Sequence, residues 1–324
     1  MKSKIKNFIN NGDLRKVRFW IQLISFVLFI YGGYLAINFG SSFPVFSCLY
    51  NEQTSATCYL ISVQHQLAMP TKVLFSPAII SFLIGLVTFI AWFMILNKAW
   101  CGYMCPFGTL QDWITNLRKK MNIRFSVYTR HQFEGLSKIK YVFLIIVFFF
   151  PLLMGAGAIS NDWSATFCQM CPARVISPMF IGDFSQWTID FSSKTNMILT
   201  ALGISLASLF FVGSFVKKRF FCFFCPMSAL HYIFADTSIV KFRKDGSKCT
   251  RCGDCYAVCD MQIKDIADDV ASINILRDDC ILCLKCIAAC PEDDALHFDI
   301  LNIKAFSSTR EGFEKRMKID LHKK

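Results

Sequence analysis

With 324 residues, 54% of them hydrophobic, 34 Phe and a mean hydropathy of +0.42, the chain is too apolar for an ordinary soluble domain. A net charge of +12 would fit a nucleic-acid binder, but the Lys and Arg residues cluster beside apolar runs, as membrane-flanking charge does, so nucleic acid is excluded as a partner. No Rossmann glycine fingerprint or phosphate-binding loop occurs, which argues against direct NAD or ATP chemistry.

In chain order, residues 1–18 form a basic N-terminus and residues 19–39 are uncharged, a run that fits a membrane span rather than a cleaved signal. Three further apolar runs follow at about 76–96, 141–160 and 196–216, each of spanning length. Pro151, Gly155 and Gly157 in the third run are tolerated where membrane helices pack together. Lys and Arg set the expected orientation. Residues 97–140 carry Lys98, Arg118, Lys119, Lys120, Arg124, Arg130, Lys138 and Lys140, and Lys217-Lys218-Arg219 follow the last run. Residues 40–75 carry only Lys72, and residues 161–195 carry Arg174 and Lys194 against three Asp. Both termini and the middle loop are therefore expected in the cytoplasm of an inner-membrane, multi-pass protein, with loops 40–75 and 161–195 outside. The expected fold is a mostly α integral membrane protein of four transmembrane helices with a C-terminal α+β 2[4Fe–4S] ferredoxin-like domain. Its expected parts are a membrane domain at 19–219, a linker at 220–248, the ferredoxin-like domain at 249–301 and a tail at 302–324.

The spans read as two like hairpins, each ending in an inner Cys-Pro motif: Cys101-Gly102-Tyr103-Met104-Cys105-Pro106 and Cys222-Phe223-Phe224-Cys225-Pro226. The outer loops echo each other, Ser55-Ala56-Thr57-Cys58 against Ser164-Ala165-Thr166-Phe167-Cys168. Internal repeats of this kind bring corresponding motifs together across a pseudo-two-fold. Cys101, Cys105, Cys222 and Cys225 are thus candidates for an additional cluster or metal at the inner surface, against the alternative of packing thiols. Cys48, Cys58, Cys168 and Cys171 form an outer set on a face that favours disulfides, with a redox-active Cys168–Cys171 pair or a cluster as the sharper readings.

Between 249 and 290 the C-x2-C-x2-C-x3-C run occurs twice, as Cys249/Cys252/Cys255/Cys259 and Cys280/Cys283/Cys286/Cys290, with Pro291 after the second. Soft thiolates at this spacing wrap a cubane, and the fourth ligand crosses over from the other run. One [4Fe–4S] cluster is therefore expected on Cys249, Cys252, Cys255 and Cys290, and the other on Cys280, Cys283, Cys286 and Cys259. Zinc sites use two CxxC pairs rather than two runs of four. His65, His131, His231, His297 and His322 all lie outside the spans, which excludes a membrane b-type haem. His65, between Gln64 and Gln66, is a candidate quinone-site residue that could accept a quinol proton.

Four spans, paired inner Cys-Pro motifs and a C-terminal double cluster module resemble the NapH/NosR-type membrane polyferredoxins over nearly the whole chain. The stretch Cys101-Gly102-Tyr103-Met104-Cys105-Pro106-Phe107-Gly108-Thr109-Leu110-Gln111 matches that family's C-G-x-x-C-P-x-G-x-x-Q pattern. The second inner motif is one residue shorter than the family spacing, and Asp260 stands where a Pro commonly follows the first run. The layout, with 18 residues before the first span and no large outer flavin domain, is nearest to the NapH-like quinol dehydrogenase component. The resemblance implies electron transfer between the quinone pool and ferredoxin-type or reductase partner proteins in anaerobic respiration, with quinone as substrate. The rival expectations are a maturation or regulatory protein that delivers electrons to a metal centre or disulfide, and a structural anchor.

Overall fold

The computed structural model describes residues 14–35, 58–69, 78–159, 163, 166–277 and 279–314. Cys48 and His322, named above, lie outside these residues. Three described helices are long and apolar enough to cross a bilayer: Leu14–Leu35, Arg130–Gly155 and Lys194–Val216. Only 17–39% of each apolar window is buried inside the protein, so most of each helix faces outward, as lipid contact requires. Exposed Ile24, Val27, Ile145, Phe149, Leu209 and Val212 are among these outward residues. Over the second expected span the described helix is Ala78–Ile95, with an apolar stretch at Phe82–Ile95, so three spans are counted among the described residues.

The chain forms two compact units. One consists of residues 24–92 and 105–230, the other of 1–23, 93–104 and 231–324. In the first unit, α1 (Leu14–Tyr31, which begins in the other unit), α2 (Tyr59–Leu67), α3 (Ala78–Ile95), α4 (Pro106–Lys120), α5 (Arg130–Gly155), α6 (Thr166–Met170), α7 (Pro172–Ile176), α8 (Lys194–Val216) and α9 (Pro226–Ile233) follow in order. Helix α5 starts at a capping box, in which the Thr129 hydroxyl accepts from the Gln132 backbone N–H and the Gln132 side chain accepts from the Thr129 N–H. It begins 11 residues before its apolar run, because nothing in Arg130–Lys140 breaks a helix once that cap is made.

Segment 166–176 forms the short helices α6 and α7, which pack against α8. A Cβ on Gly203, in the middle of α8, would stand 3.0 Å from Gln169 O and 3.8 Å from Met170 Cα. The absence of a side chain there lets the segment lie against the span. Below that contact Phe107, Ala173, Val175, Ile176, Ala207 and Phe210 form a buried core, with Cys105 and Cys171 packed at its edge. After α8 the chain reverses at Arg219, whose φ is 52°. Phe220 then folds back over Gly213, where a Cβ would meet its ring at 2.1 Å. The turn is held by a buried ion pair between Arg219 Nη2 and Asp112 Oδ2 at 2.6 Å.

The second unit contains a three-stranded antiparallel sheet in the order β1 (Val240–Lys244), β2 (Leu296–Ile300), β3 (Ile303–Ser307). Val240 pairs with Ile300 and Lys244 with Leu296, while β2 and β3 shift register between Phe298 and Asp299. Alternation along β1 buries Val240, Phe242 and Lys244. Strands β1 and β3 bracket the two Cys runs, so this α+β unit extends beyond the expected bounds of 249 and 301 on both sides. Short helices α10 (Asp254–Ala257), α11 (Asp265–Asp268) and α12 (Lys285–Ala289) lie between β1 and β2.

Candidate functional site

Each Cys run bends through the same pair of left-handed residues. Arg251 and Gly253 flank Cys252 with φ of 56° and 84°, and Leu282 and Leu284 flank Cys283 with φ of 47° and 58°. A left-handed residue on either side of the central Cys curls the backbone so that neighbouring amides and thiols turn to one side, the geometry of an anion-binding nest. Glycine tolerates this conformation, whereas Leu282 and Leu284 are held in it by burial at 1% and 9% exposure.

Two cavities result. Cys249, Cys252, Cys255 and Cys290 line one of about 360 Å³, and Cys259, Cys280, Cys283 and Cys286 line another of about 370 Å³. The second is the more enclosed: Cys280 and Cys286 are buried, whereas Cys252 beside the first is exposed. Burial pushes the Cys259 and Cys280 thiols up to about 12 and the Cys255 thiol up to about 11, with Lys244 pulling the last back down. Such thiols become thiolates only when a cationic centre replaces the proton. Among the described residues, no three His, Cys, Asp or Glu side chains close on one point as a single metal ion needs. Four sulfurs spaced around a cavity suit a cubane and not a mononuclear zinc site.

Each cavity has its own charged surroundings, and these were not legible as site features in the sequence. Beside the first, Lys244 Nζ donates to the carbonyls of Ile266 (2.8 Å), Ala267 (3.2 Å) and Asp269 (2.6 Å), closing the end of α11. Beside the second, buried Asp260 pairs with Lys285 and lies 3.7 Å from Arg18 Nη1. Asp260, the departure from the family's Pro, is thus the anion that accompanies the buried Arg18 and the half-buried Lys285.

The inner motif containing Cys101 packs on the second run. Residues Trp100–Met104 form a π-helical turn, a wide-pitch geometry often found at functional sites. Its Gly102 carbonyl accepts from Arg18 Nε at 3.0 Å and Gln22 Nε2 at 3.2 Å. A Cβ on Gly102 would stand 2.3 Å from Ile281 O, and Tyr103 Oη donates to Cys283 O at 3.4 Å. Cys101 therefore belongs to the unit that carries the ferredoxin-like runs, while Cys105, Cys222 and Cys225 belong to the other unit.

In that other unit, Gln111 of the family pattern is buried between the inner motifs. Its Oε1 accepts from the Phe221 N–H at 3.0 Å, and its Nε2 lies 3.8 Å from Cys222 Sγ. Burial raises the Cys222 thiol, the Arg219 charge opposes that rise, and Cys105 adds to it. Cys225 lines a cavity of about 550 Å³ together with Cys58, Cys168 and Cys171, which joins one inner cysteine to three of the outer set. None of the fifteen described cysteines is in a disulfide. Gln64, buried in α2, donates from Nε2 to Cys168 Sγ at 3.2 Å. His65, the next residue, is exposed in the last turn of the same helix. The repeated Ser-Ala-Thr and Cys-Pro echoes were the signal in the sequence that could have linked Cys58, Cys168 and Cys171 with Cys225.

Comparison with known proteins agrees with this chemistry. A 4Fe-4S binding domain profile matches residues 78–124 and again 199–244, each covering an apolar run and the inner Cys-Pro motif after it, and a 4Fe-4S dicluster domain profile matches 241–291. YccM of Escherichia coli, whose name assigns it to electron transport, is 28% identical over 68% of this chain and 58% of its own length. The ferredoxin-type protein NapH of Haemophilus influenzae is 25% identical over 65% of the chain and 66% of its length. The regulatory protein NosR of Pseudomonas aeruginosa is 26% identical over 57% of the chain but 22% of its own length. The chain thus spans less than two thirds of these relatives, and no solved structure matches it significantly. With its apolar helices, repeated 4Fe-4S binding profiles and these relatives, the chain is similar to the NapH/NosR-type membrane polyferredoxins.

Proposed function

We propose that this protein carries electrons between the quinone pool and a redox partner protein, as the quinol-oxidising component of an anaerobic respiratory reductase. The observation that carries this reading is the sorting of the eight run cysteines into two enclosed four-thiol cavities. Cys249, Cys252, Cys255 and Cys290 hold one [4Fe–4S] cluster, and Cys259, Cys280, Cys283 and Cys286 hold the other. Bound there, the two clusters supply one-electron redox chemistry and together match the two electrons that a quinol releases.

The chain's own residues do the rest. Met261, Ile263 and Ile266 line the second cavity and keep water from it. Lys244 places a cation at the first cavity, and Asp260 with Lys285 places a compensated anion at the second, so the two sites have different electrostatic surroundings. The Trp100–Met104 turn rests on the Ile281–Cys283 loop, so the backbone of this turn would help hold the second-run site in shape. His65 takes a proton as the quinol is oxidised. Four spans and a cytoplasmic ferredoxin-like unit follow from the Lys and Arg distribution.

The test is anaerobic reduction of the full chain in liposomes by a reduced quinol analogue, followed by the bleaching of cluster absorbance. Stoichiometric bleaching is expected. Clusters that stay oxidised with quinol, yet reduce Cu(II) or a disulfide when pre-reduced with dithionite, would move the protein to cofactor maturation.

A further inference from the structure

Three cysteines of the outer set and one of the inner set line one cavity of the first unit. We infer that Cys58, Cys168, Cys171 and Cys225 hold a further iron–sulfur cluster, buried among the membrane helices.

Three of the four thiols stand where a helix begins. Cys58 is the residue before α2, Cys171 precedes α7 with Pro172 at its first position, and Cys225 precedes α9 with Pro226 first. Proline at the first helical position sacrifices no hydrogen bond and directs the preceding residue into extended backbone, which turns its side chain out of the helix. Cys58 and Cys171 have that extended backbone, with ψ of 124° and 129°. The cavity they surround is lined mostly by apolar side chains, with Phe107, Phe167 and Phe221 among its walls and Arg174 as its one charged neighbour. Like the two cavities of the ferredoxin-like runs, it is lined by four cysteines.

Two further observations favour a cluster over a pair of disulfides. Among the described residues, none of the four is joined to another cysteine in a disulfide. Gln64, at 1% exposure, aims an N–H at Cys168 Sγ, and such a donor stabilises sulfur that carries negative charge. Depth is the third consideration. Gly203, which accommodates Gln169, is nine residues into α8, about 14 Å along a helix that must cross roughly 30 Å of hydrocarbon. Irregular backbone at that depth occurs where it lines a protein-enclosed site, away from the oxidants that would pair these thiols outside.

This inference does not depend on the clusters held by the two runs, and the experiment separates them. The full chain is purified anaerobically in detergent, and iron, acid-labile sulfide and low-temperature EPR are measured. About 12 iron per chain is expected if the added cluster is a cubane, or about ten if it is [2Fe–2S]. Cys58→Ser, Cys168→Ser, Cys171→Ser and Cys225→Ser should each return the count to about eight, and any pair should lose no more than one alone, because ligands of one site fail together. Cys101→Ser and Cys222→Ser should keep the additional iron. As a measurement that needs no variant, the four thiols should resist alkylation in the holoprotein and become labelled after iron is chelated. A wild-type count of eight overturns the inference. So does additional iron lost with Cys101→Ser and Cys222→Ser but kept with Cys58→Ser, or labelling of Cys58, Cys168 and Cys171 only after a disulfide reductant.

Discussion

Gly102→Ala should selectively disturb the second-run cavity. The new methyl would stand 2.3 Å from Ile281 O and 3.4 Å from Cys283 N. Contacts below 3.0 Å do not persist, so the Ile281–Cys283 backbone has to retreat by about 0.7 Å or the Trp100–Met104 turn has to lift away. Neither can relax by a side-chain rotation. The carbonyl of Gly102 is held by Arg18 and Gln22, and the oxygen it meets belongs to a left-handed loop with Leu282 at φ 47°. Overpacking of this kind costs about 1–3 kcal/mol. At 1.4 kcal/mol per factor of ten, the cluster-competent arrangement falls roughly 5- to 150-fold relative to alternatives. EPR of the dithionite-reduced full chain, with iron content, is the assay. The second-run signal should broaden or fall while the first-run signal keeps its shape. Gly135→Ala, with nothing within 4 Å of the added methyl, should leave both signals unchanged. Equal damage to both clusters, or none, would refute the docking of this turn on the second run.

Cys290→Ser should damage the cluster started by Cys249, Cys252 and Cys255, because those four thiols line one cavity; loss of the second-run signal instead would refute the crossover. Asp260→Asn leaves the buried Arg18 without its anion and the half-buried Lys285 without its partner, so it should destabilise the protein by about 3 kcal/mol. It should also raise the midpoint potential of the second-run cluster, because removing a negative charge favours the reduced form; a redox titration showing a lower midpoint would contradict this. His231 is kept neutral by burial and then by Lys98, so its pKa lies below the unfolded value of about 6.5. Its contribution to stability is therefore present above about pH 6.5 and lost as the pH falls below it, at up to about 1.4 kcal/mol per pH unit. His231→Phe, keeping a ring beside Phe93, should flatten the acid-side fall in melting temperature, and an unchanged slope between pH 7.5 and 5.5 would count against that account. Phosphatase fusions after Phe39 and Ser160 should be active and those after Leu117 and Lys244 inactive; the reverse pattern would invert the orientation.

The sequence by itself determined whatever depends on near neighbours. The two C-x2-C-x2-C-x3-C runs are local, because a curl of a few residues brings three sulfurs to one side, and even the crossovers span only 35 residues from Cys255 to Cys290 and 21 from Cys259 to Cys280. The spanning helices were legible for the same reason, since an apolar run of sufficient length needs no tertiary partner to be recognised. What the sequence could not contain was the turning of segment 166–176 against α8, which depends on Gly203 presenting bare backbone to Gln169. That contact and the core of Ala173, Val175 and Ile176 against Ala207 and Phe210 set Cys168 and Cys171 beside Cys225, more than fifty residues away, and Cys58, more than a hundred residues away. Asp260 and Gly102 had equally little local meaning. One is a lone carboxylate and the other a lone glycine until folding brings Arg18 and Lys285 to the first and Ile281 to the second. Long-range packing decides such residues because their partners are chosen by shape and charge in three dimensions, and sequence spacing carries no record of either.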